Sequence, residues 1–191
     1  MGSGTSERQP IEESAPPWVD GLTIGQVLRE TARRYPQHDA CVFCHLGVRM
    51  TWEELDRSVD QVARGLLALG FKPGDHFGVW ATNVPEWPQL QFATARIGVV
   101  LVTINPAYRC SELVYALKQS DVKGIASIDC FKSSNFVSIL GEACPEICTS
   151  QPGQLASHAF PKLQWVISLR GERPPGTISW NDLLALSLIH I

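Results

Sequence analysis

Long apolar runs are missing from this sequence. The longest, Ile97 to Ile104, is broken by Gly98 and Thr103, far short of the ~20 residues a membrane-spanning helix needs. No transmembrane segment is expected. A basic excess is missing too. Sixteen Lys and Arg, scattered along the chain, stand against 19 Asp and Glu for a net charge of −3, which leaves no electrostatic footprint for nucleic acid. The first 17 residues, MGSGTSERQPIEESAPP, lack the apolar stretch of a secretory signal, and Glu7, Glu12 and Glu13 are out of place in an acid-poor transit peptide. Residues 1–20 are expected to form a flexible arm. Common signatures of phosphate and hydrolytic chemistry are also missing: no Gly-x-x-x-x-Gly-Lys-Ser/Thr, no Gly-x-Gly-x-x-Gly after a strand, no Gly-x-Ser-x-Gly and no His-Glu-x-x-His.

Six cysteines, at 41, 44, 110, 130, 144 and 148, are present. Without a signal peptide, reduced thiols are expected rather than a disulfide framework. Cys41-Val42-Phe43-Cys44-His45 formally matches a haem attachment motif. Its strand-like alternation, however, sends Cys41 and Phe43 to one face and Val42 and Cys44 to the other. Methionine is scarce as well, with Met1 and Met50 alone available as axial ligands, so these are read as structural cysteines. Cys41, Cys44, Cys144 and Cys148 have spacings that zinc could use, but neither pair sits in a zinc-finger-like context, and buried thiols are the favoured reading. Asp75 is read as a turn residue bonding its own backbone, with His76 opening the next strand. Glu53 and Glu54 favour a helix macrodipole, and Trp52, Trp80 and Trp87 pack between layers. No catalytic, cofactor-binding or metal-binding residue is assigned.

What the chain does contain is a regular alternation of helix-like and strand-like segments. Thr23 caps a helix carrying Ile24, Val27, Leu28, Thr31, Ala32 and Tyr35, which Pro36 ends. Ala40 to His45 and Val48 to Thr51 read as strands around a turn at Leu46-Gly47. Thr51 and Glu54 form a capping box for a long helix with one apolar stripe, closed by Gly70. Lys72 to Asp75 is a turn and His76 to Ala81 a strand. Asn83 with Glu86 predicts a capped helix ending near Gly98. Val99 to Ile104 predicts a strand buried on both faces. Ser111 caps a further helix, Lys123 to Ser127 and Gln164 to Ser168 are strands, and a helix lies around Phe136 to Leu140. A Pro/Gly/Ser-rich loop runs from Cys144 to Ser157. Together these predict an α/β fold, an open, mostly parallel sheet flanked by helices.

Thr51-Trp52-Glu53-Glu54-Leu55, then Lys72-Pro73-Gly74-Asp75 with Asn83 and Glu86-Trp87, then Ala95-x-x-Gly98 through Asn105-Pro106 to Glu112-Leu113 occur in that order. The set resembles the opening of adenylate-forming (AMP-binding) enzymes, and the resemblance covers roughly Thr23 to Leu184. VTINPAYRCSELVYALKQ and the later CPEI and Pro-Pro-Gly-Thr segments are most similar to medium-chain acyl-CoA synthetases. The resemblance implies the N-terminal part of that family's fold. It implies ATP, Mg²⁺ and coenzyme A as cofactors, a fatty acid substrate, an acyl-adenylate intermediate and a mitochondrial location, with a cytoplasmic one as the alternative. The family's Ser/Thr/Gly-rich phosphate loop has no match here, nor do its adenine- and Mg²⁺-binding segments or its C-terminal lid. The chain alone is therefore expected to bind none of those cofactors tightly and to be inactive.

Ser179 to Ala185 begins a capped helix that runs only into LSLIHI, which suggests a truncation or splice product. Residues 21–185 are expected to be an incomplete synthetase domain, followed by an atypical tail at 186–191. The competing expectations are a non-catalytic binding or regulatory short isoform and an aromatic acid–CoA ligase. An unpaired sheet edge and uncovered apolar face would favour aggregation unless a partner covers them.

Overall fold

The computed structural model describes residues 21–171 and 173–187. The expected arm at 1–20 and the end of the tail, 188–191, lie outside the described residues. Helix α1 (Ile24–Arg34) starts at Thr23, whose hydroxyl accepts from the Gln26 N–H while the Gln26 side chain accepts from the Thr23 N–H. A hairpin follows, β1 (Asp39–Phe43) and β2 (Val48–Thr51), turning through Cys44–Leu46 and a left-handed Gly47. Cys44 thus sits in the turn, not on the strand face that alternation predicted.

Helix α2 (Trp52–Ala68) carries the expected Thr51/Glu54 capping box. It ends in a Schellman arrangement: Gly70, at φ +82°, donates to the Leu67 carbonyl and Phe71 donates to that of Leu66. That ending satisfies orphan carbonyls and swings Phe71 into the core.

Strands β3 (His76–Trp80), β4 (Val100–Thr103), β5 (Gly124–Ser127), β8 (Trp165–Ser168) and β9 (Ile178–Ser179) form one parallel sheet in the order β4-β3-β5-β8-β9. Helices α3 (Glu86–Arg96), α4 (Cys110–Ser120) and α5 (Phe136–Ala143) connect them, β6 (Cys130–Phe131) and β7 (Ser134–Asn135) make a small hairpin, and α6 (Trp180–Leu186) follows β9. The chain steps from β3 outward to β4, then returns past β3 to β5 and β8. Right-handed crossovers therefore put α3 on one face and α4 and α5 on the other. The packing agrees: α1, α2, α3 and α6 form one layer, and α4 contacts α5. Arg96, at the end of α3, is clamped by Asp56 and Asp60 of α2 at 2.5 and 2.6 Å.

Three local expectations are corrected. The run Val99 to Ile104 is not buried on both faces, because β4 is an edge of the described sheet and Val100 is 46% exposed. Asn83 does not cap α3, whose first helical residue, Glu86, follows Pro85 without a side-chain cap. Ser111 is not the cap of α4, which begins a residue earlier, at Cys110, with the Glu112 carboxylate accepting from the Arg109 N–H at 2.7 Å.

The core runs between sheet and helices. Phe77, Val79, Trp80, Ile125, Val166 and Ile167 are buried along the central strands. Trp80 packs at a tilt against Phe136 with ring centres 4.2 Å apart, and its indole N–H reaches the Asn105 carbonyl at 3.1 Å. Trp52 and Trp87 are half-buried against the same core.

Candidate functional site at the carboxyl edge of the sheet

In an open parallel sheet, ligands sit beyond the carboxyl ends of the strands, where connections leave toward opposite faces. Here that switch lies between β3, which leads to α3, and β5, which leads to α5. Two recesses open at this edge. One, of about 540 Å³, lies beyond β3 and β4 and is lined by Thr82, Asn83, Trp87, Asn105, Pro106 and Tyr108 among others. The second, of about 320 Å³, lies beyond β8 and β9 and is lined by Glu86, Ser168, Arg170, Arg173, Ser179 and Asn181 among others.

The same residue types that build turns position these walls. Asn105 accepts the Ala107 N–H on its side-chain oxygen at 2.9 Å and the Tyr108 N–H on its carbonyl at 3.0 Å, which bends the chain away from β4 as an Asn-Pro pair should. Gly171 sits at φ +67° against Asp129; a Cβ there would fall 1.9 Å from the carboxylate. The loops after β5 and β8 are therefore in direct contact.

Arg170 reaches from the end of β8 to Glu86 at the start of α3. Its Nη2 stands 3.1 and 2.9 Å from the two carboxylate oxygens. Sequence reasoning missed this pair, because its members are 84 residues apart and the local signal at Glu86 pointed to a cap with Asn83 instead.

The carboxyl edge does not by itself fit a nucleotide phosphate or Mg²⁺. Both guanidinium groups that line the smaller recess are occupied, Arg170 by Glu86 and Arg173 by Asp182 at 2.9 Å. Among the described residues, no three His, Cys, Asp or Glu side chains gather closely enough to hold a metal. The described cysteines are all free of disulfides: Cys44 and Cys148 are exposed, and Cys144 is buried. Burial pushes the Cys144 thiol up to about 11, the behaviour of a packed rather than a reactive sulfur.

Further concavities lie away from this edge. A polar one of about 400 Å³ at the opposite edge of the sheet is lined by Asp75, His76, Asp121, Lys123 and Lys162. Its charges are paired: Asp75 with Lys123 at 2.7 Å and Asp121 with Lys162 at 2.8 Å, while His76 Nδ1 contacts the Ser120 carbonyl. Asp75 also accepts the Lys72 N–H at 2.9 Å, the turn role expected of it. Glu54 is spent on the Thr51 cap, and Glu53 faces Gln37 and Arg57 on the surface. An apolar groove of about 480 Å³, lined by Val102, Tyr108, Tyr115 and Ala116 among others, runs between β4 and α4.

This organisation, five parallel strands wound in both directions from β3 behind a capped first long helix, is the architecture expected from the sequence motifs. Residues 28–182 match the model of the AMP-binding enzyme family, and the chain belongs to that family. A curated relative, the mitochondrial medium-chain acyl-CoA ligase ACSF2 of Mus musculus, is 40% identical over 163 residues, which is 85% of this chain and 26% of the relative. The Homo sapiens ACSF2 is 40% identical over 167 residues, 87% of this chain and 27% of the relative. Among solved structures, acetoacetyl-CoA synthetase from Streptomyces lividans superposes with a TM-score of 0.71 at 25% identity, covering 86% of this chain and 25% of that one. The chain thus spans about a quarter of the length of these relatives. Its homologues are acyl-CoA synthetases, and its fold is the N-terminal architecture of the adenylate-forming enzymes.

Proposed function

We propose that these residues serve as the N-terminal scaffold of a medium-chain fatty acid–CoA ligase, with 21–185 as its ligase-type unit. In that reaction a fatty acid and ATP give an acyl-adenylate and pyrophosphate, and coenzyme A then displaces AMP to form the thioester. The observation that carries the reading is the 40% identity to a medium-chain ligase over 85% of this chain, on a sheet whose carboxyl edge is open at the topological switch. ATP, Mg²⁺ and coenzyme A are the cofactors this reading requires, a fatty acid is the substrate, and the names of the relatives support a mitochondrial location.

No residue of this chain is assigned a catalytic, cofactor-binding or metal-binding role. The scaffold contributes two shaped recesses and rigid strand ends. The phosphate loop that would supply transition-state electrostatics has no counterpart in the sequence, so the isolated 191 residues are read as inactive. Exchange of labelled pyrophosphate into ATP, with octanoate present, tests this directly. The expected result is no exchange above the protein-free rate; octanoate-dependent exchange by the purified chain would overturn it.

A further inference from the structure

Helix α6 packs on α2, with Leu183 so close to Gly65 that a Cβ there would lie 2.5 Å from the Leu183 carbonyl oxygen. One turn further along α6, Ser187 is buried at 3% exposure, its hydroxyl donating to the Leu184 carbonyl at 2.6 Å. Ser187 also forms one wall of a groove of about 380 Å³, whose other lining residues are Arg64, Leu67 and Ala68. Those three stand three and four residues apart, so they share one face of α2.

Leu67 is 50% exposed in this groove. Arg64 makes no hydrogen bond or ion pair among the described residues. A single half-exposed leucine is ordinary by itself. What sets this one apart is the sequence that leaves Ser187. The described residues end at Ser187, in the wall of the groove. The next four, Leu188-Ile189-His190-Ile191, bring three large apolar side chains. Four extended residues reach about 13 Å, while Arg64 to Ala68 spans about 6 Å of helix axis. The segment is long enough to cross the groove, and it starts from the groove's own wall.

We propose that the groove beside the end of α2 is the docking site of residues 188–191. Leu188 and Ile189 cover Leu67 and Ala68, removing apolar surface from water, and Arg64 donates to a backbone carbonyl of the segment. Because the segment is tethered at Ser187, it meets the groove at a higher effective concentration than a second molecule does. The docking extends the contact between α2 and α6. It does not depend on the reaction proposed above.

Denaturant unfolding of the whole chain, arranged as a double-mutant cycle, tests it. One change is Leu67→Ser, at a position exposed enough to leave the core intact. The other is Leu188→Ser with Ile189→Ser, which keeps the chain length. Each change alone should lower the folding equilibrium constant about fivefold, the scale of a partly lost apolar contact. Once Leu188 and Ile189 are replaced, Leu67→Ser should cost less than about twofold, because its partner is already gone. An equal effect of Leu67→Ser in both backgrounds would overturn the proposal. So would an effect of Leu67→Ser that grows with protein concentration, because that marks a second copy in the groove.

Discussion

Lys123 Nζ lies 2.7 Å from the Asp75 carboxylate and 2.6 Å from the Gly70 carbonyl. One ammonium thereby ties the start of β5 to the turn before β3 and to the end of α2. Its side chain is only 19% exposed, so replacing it leaves two acceptors partly stranded. Lys123→Met is expected to cost about 1–3 kcal/mol, measured by denaturant unfolding.

The acid side of the stability profile follows from the same site. Burial alone would raise the Asp75 pKa, but hydrogen bonds from Lys123 and from the Lys72 N–H outweigh it and hold the carboxyl below its usual range. Asp182 is also lowered, by the Ser179 hydroxyl and N–H and by Arg173. A carboxyl whose folded pKa is depressed contributes stability above its unfolded pKa, and loses it as pH falls through the folded one. Melting temperature should therefore decline below about pH 4. Asp75→Asn should be less stable at neutral pH yet show a shallower acid decline, read by thermal melts across pH 2–7.

Cys144 predicts the opposite limb. Burial raises its thiol pKa to about 11, reinforced by the neighbouring Glu146 and opposed by Ser157. A folded pKa above the ordinary value of 9.0 means stability is lost as pH rises from there toward the folded value. At pH 8 a thiol reagent should label exposed Cys44 and Cys148 first. Cys144 should react only with unfolding, as peptide mapping of timed samples would show.

Gly65 faces α6 so closely that a Cβ would lie 2.5 Å from the Leu183 carbonyl oxygen. Alanine ordinarily gains about 1 kcal/mol over glycine inside a helix. Here the backbone of α6 must move, so Gly65→Ala should destabilise by about 1–3 kcal/mol. A gain in unfolding free energy would contradict the close approach.

Val100 is 46% exposed on the edge strand β4. Edge strands with apolar faces invite intermolecular pairing, and a charge there discourages it. Val100→Lys should change stability by no more than about 0.5 kcal/mol while lowering concentration-dependent light scattering. Unaltered scattering would show that this edge is not the site of association.

Local signals were the legible part of the fold. Thr23, Thr51 and Ser179 each cap a helix as their sequence context predicts, and Gly70 ends α2 as a left-handed residue. The parallel sheet followed from the alternation of these pieces. Strand neighbours were not legible, because the apolar run around β4 reads alike at the centre and at the edge of a sheet. Asn83 with Glu86 looked like a cap because the spacing is right. The structure instead spends Glu86 on Arg170, a partner no local window contains. The two-residue strands β6, β7 and β9 are too short to carry a period.

The central claim is that these residues are the N-terminal scaffold of a larger ligase. The most direct measurement is an immunoblot of expressing cells with an antibody against residues 51–120, with peptide mass mapping of the species it captures. The account predicts a species much heavier than 21.1 kDa whose further peptides include a Ser/Thr/Gly-rich phosphate loop. A sole species at the chain's own mass, with no further peptides, would contradict it.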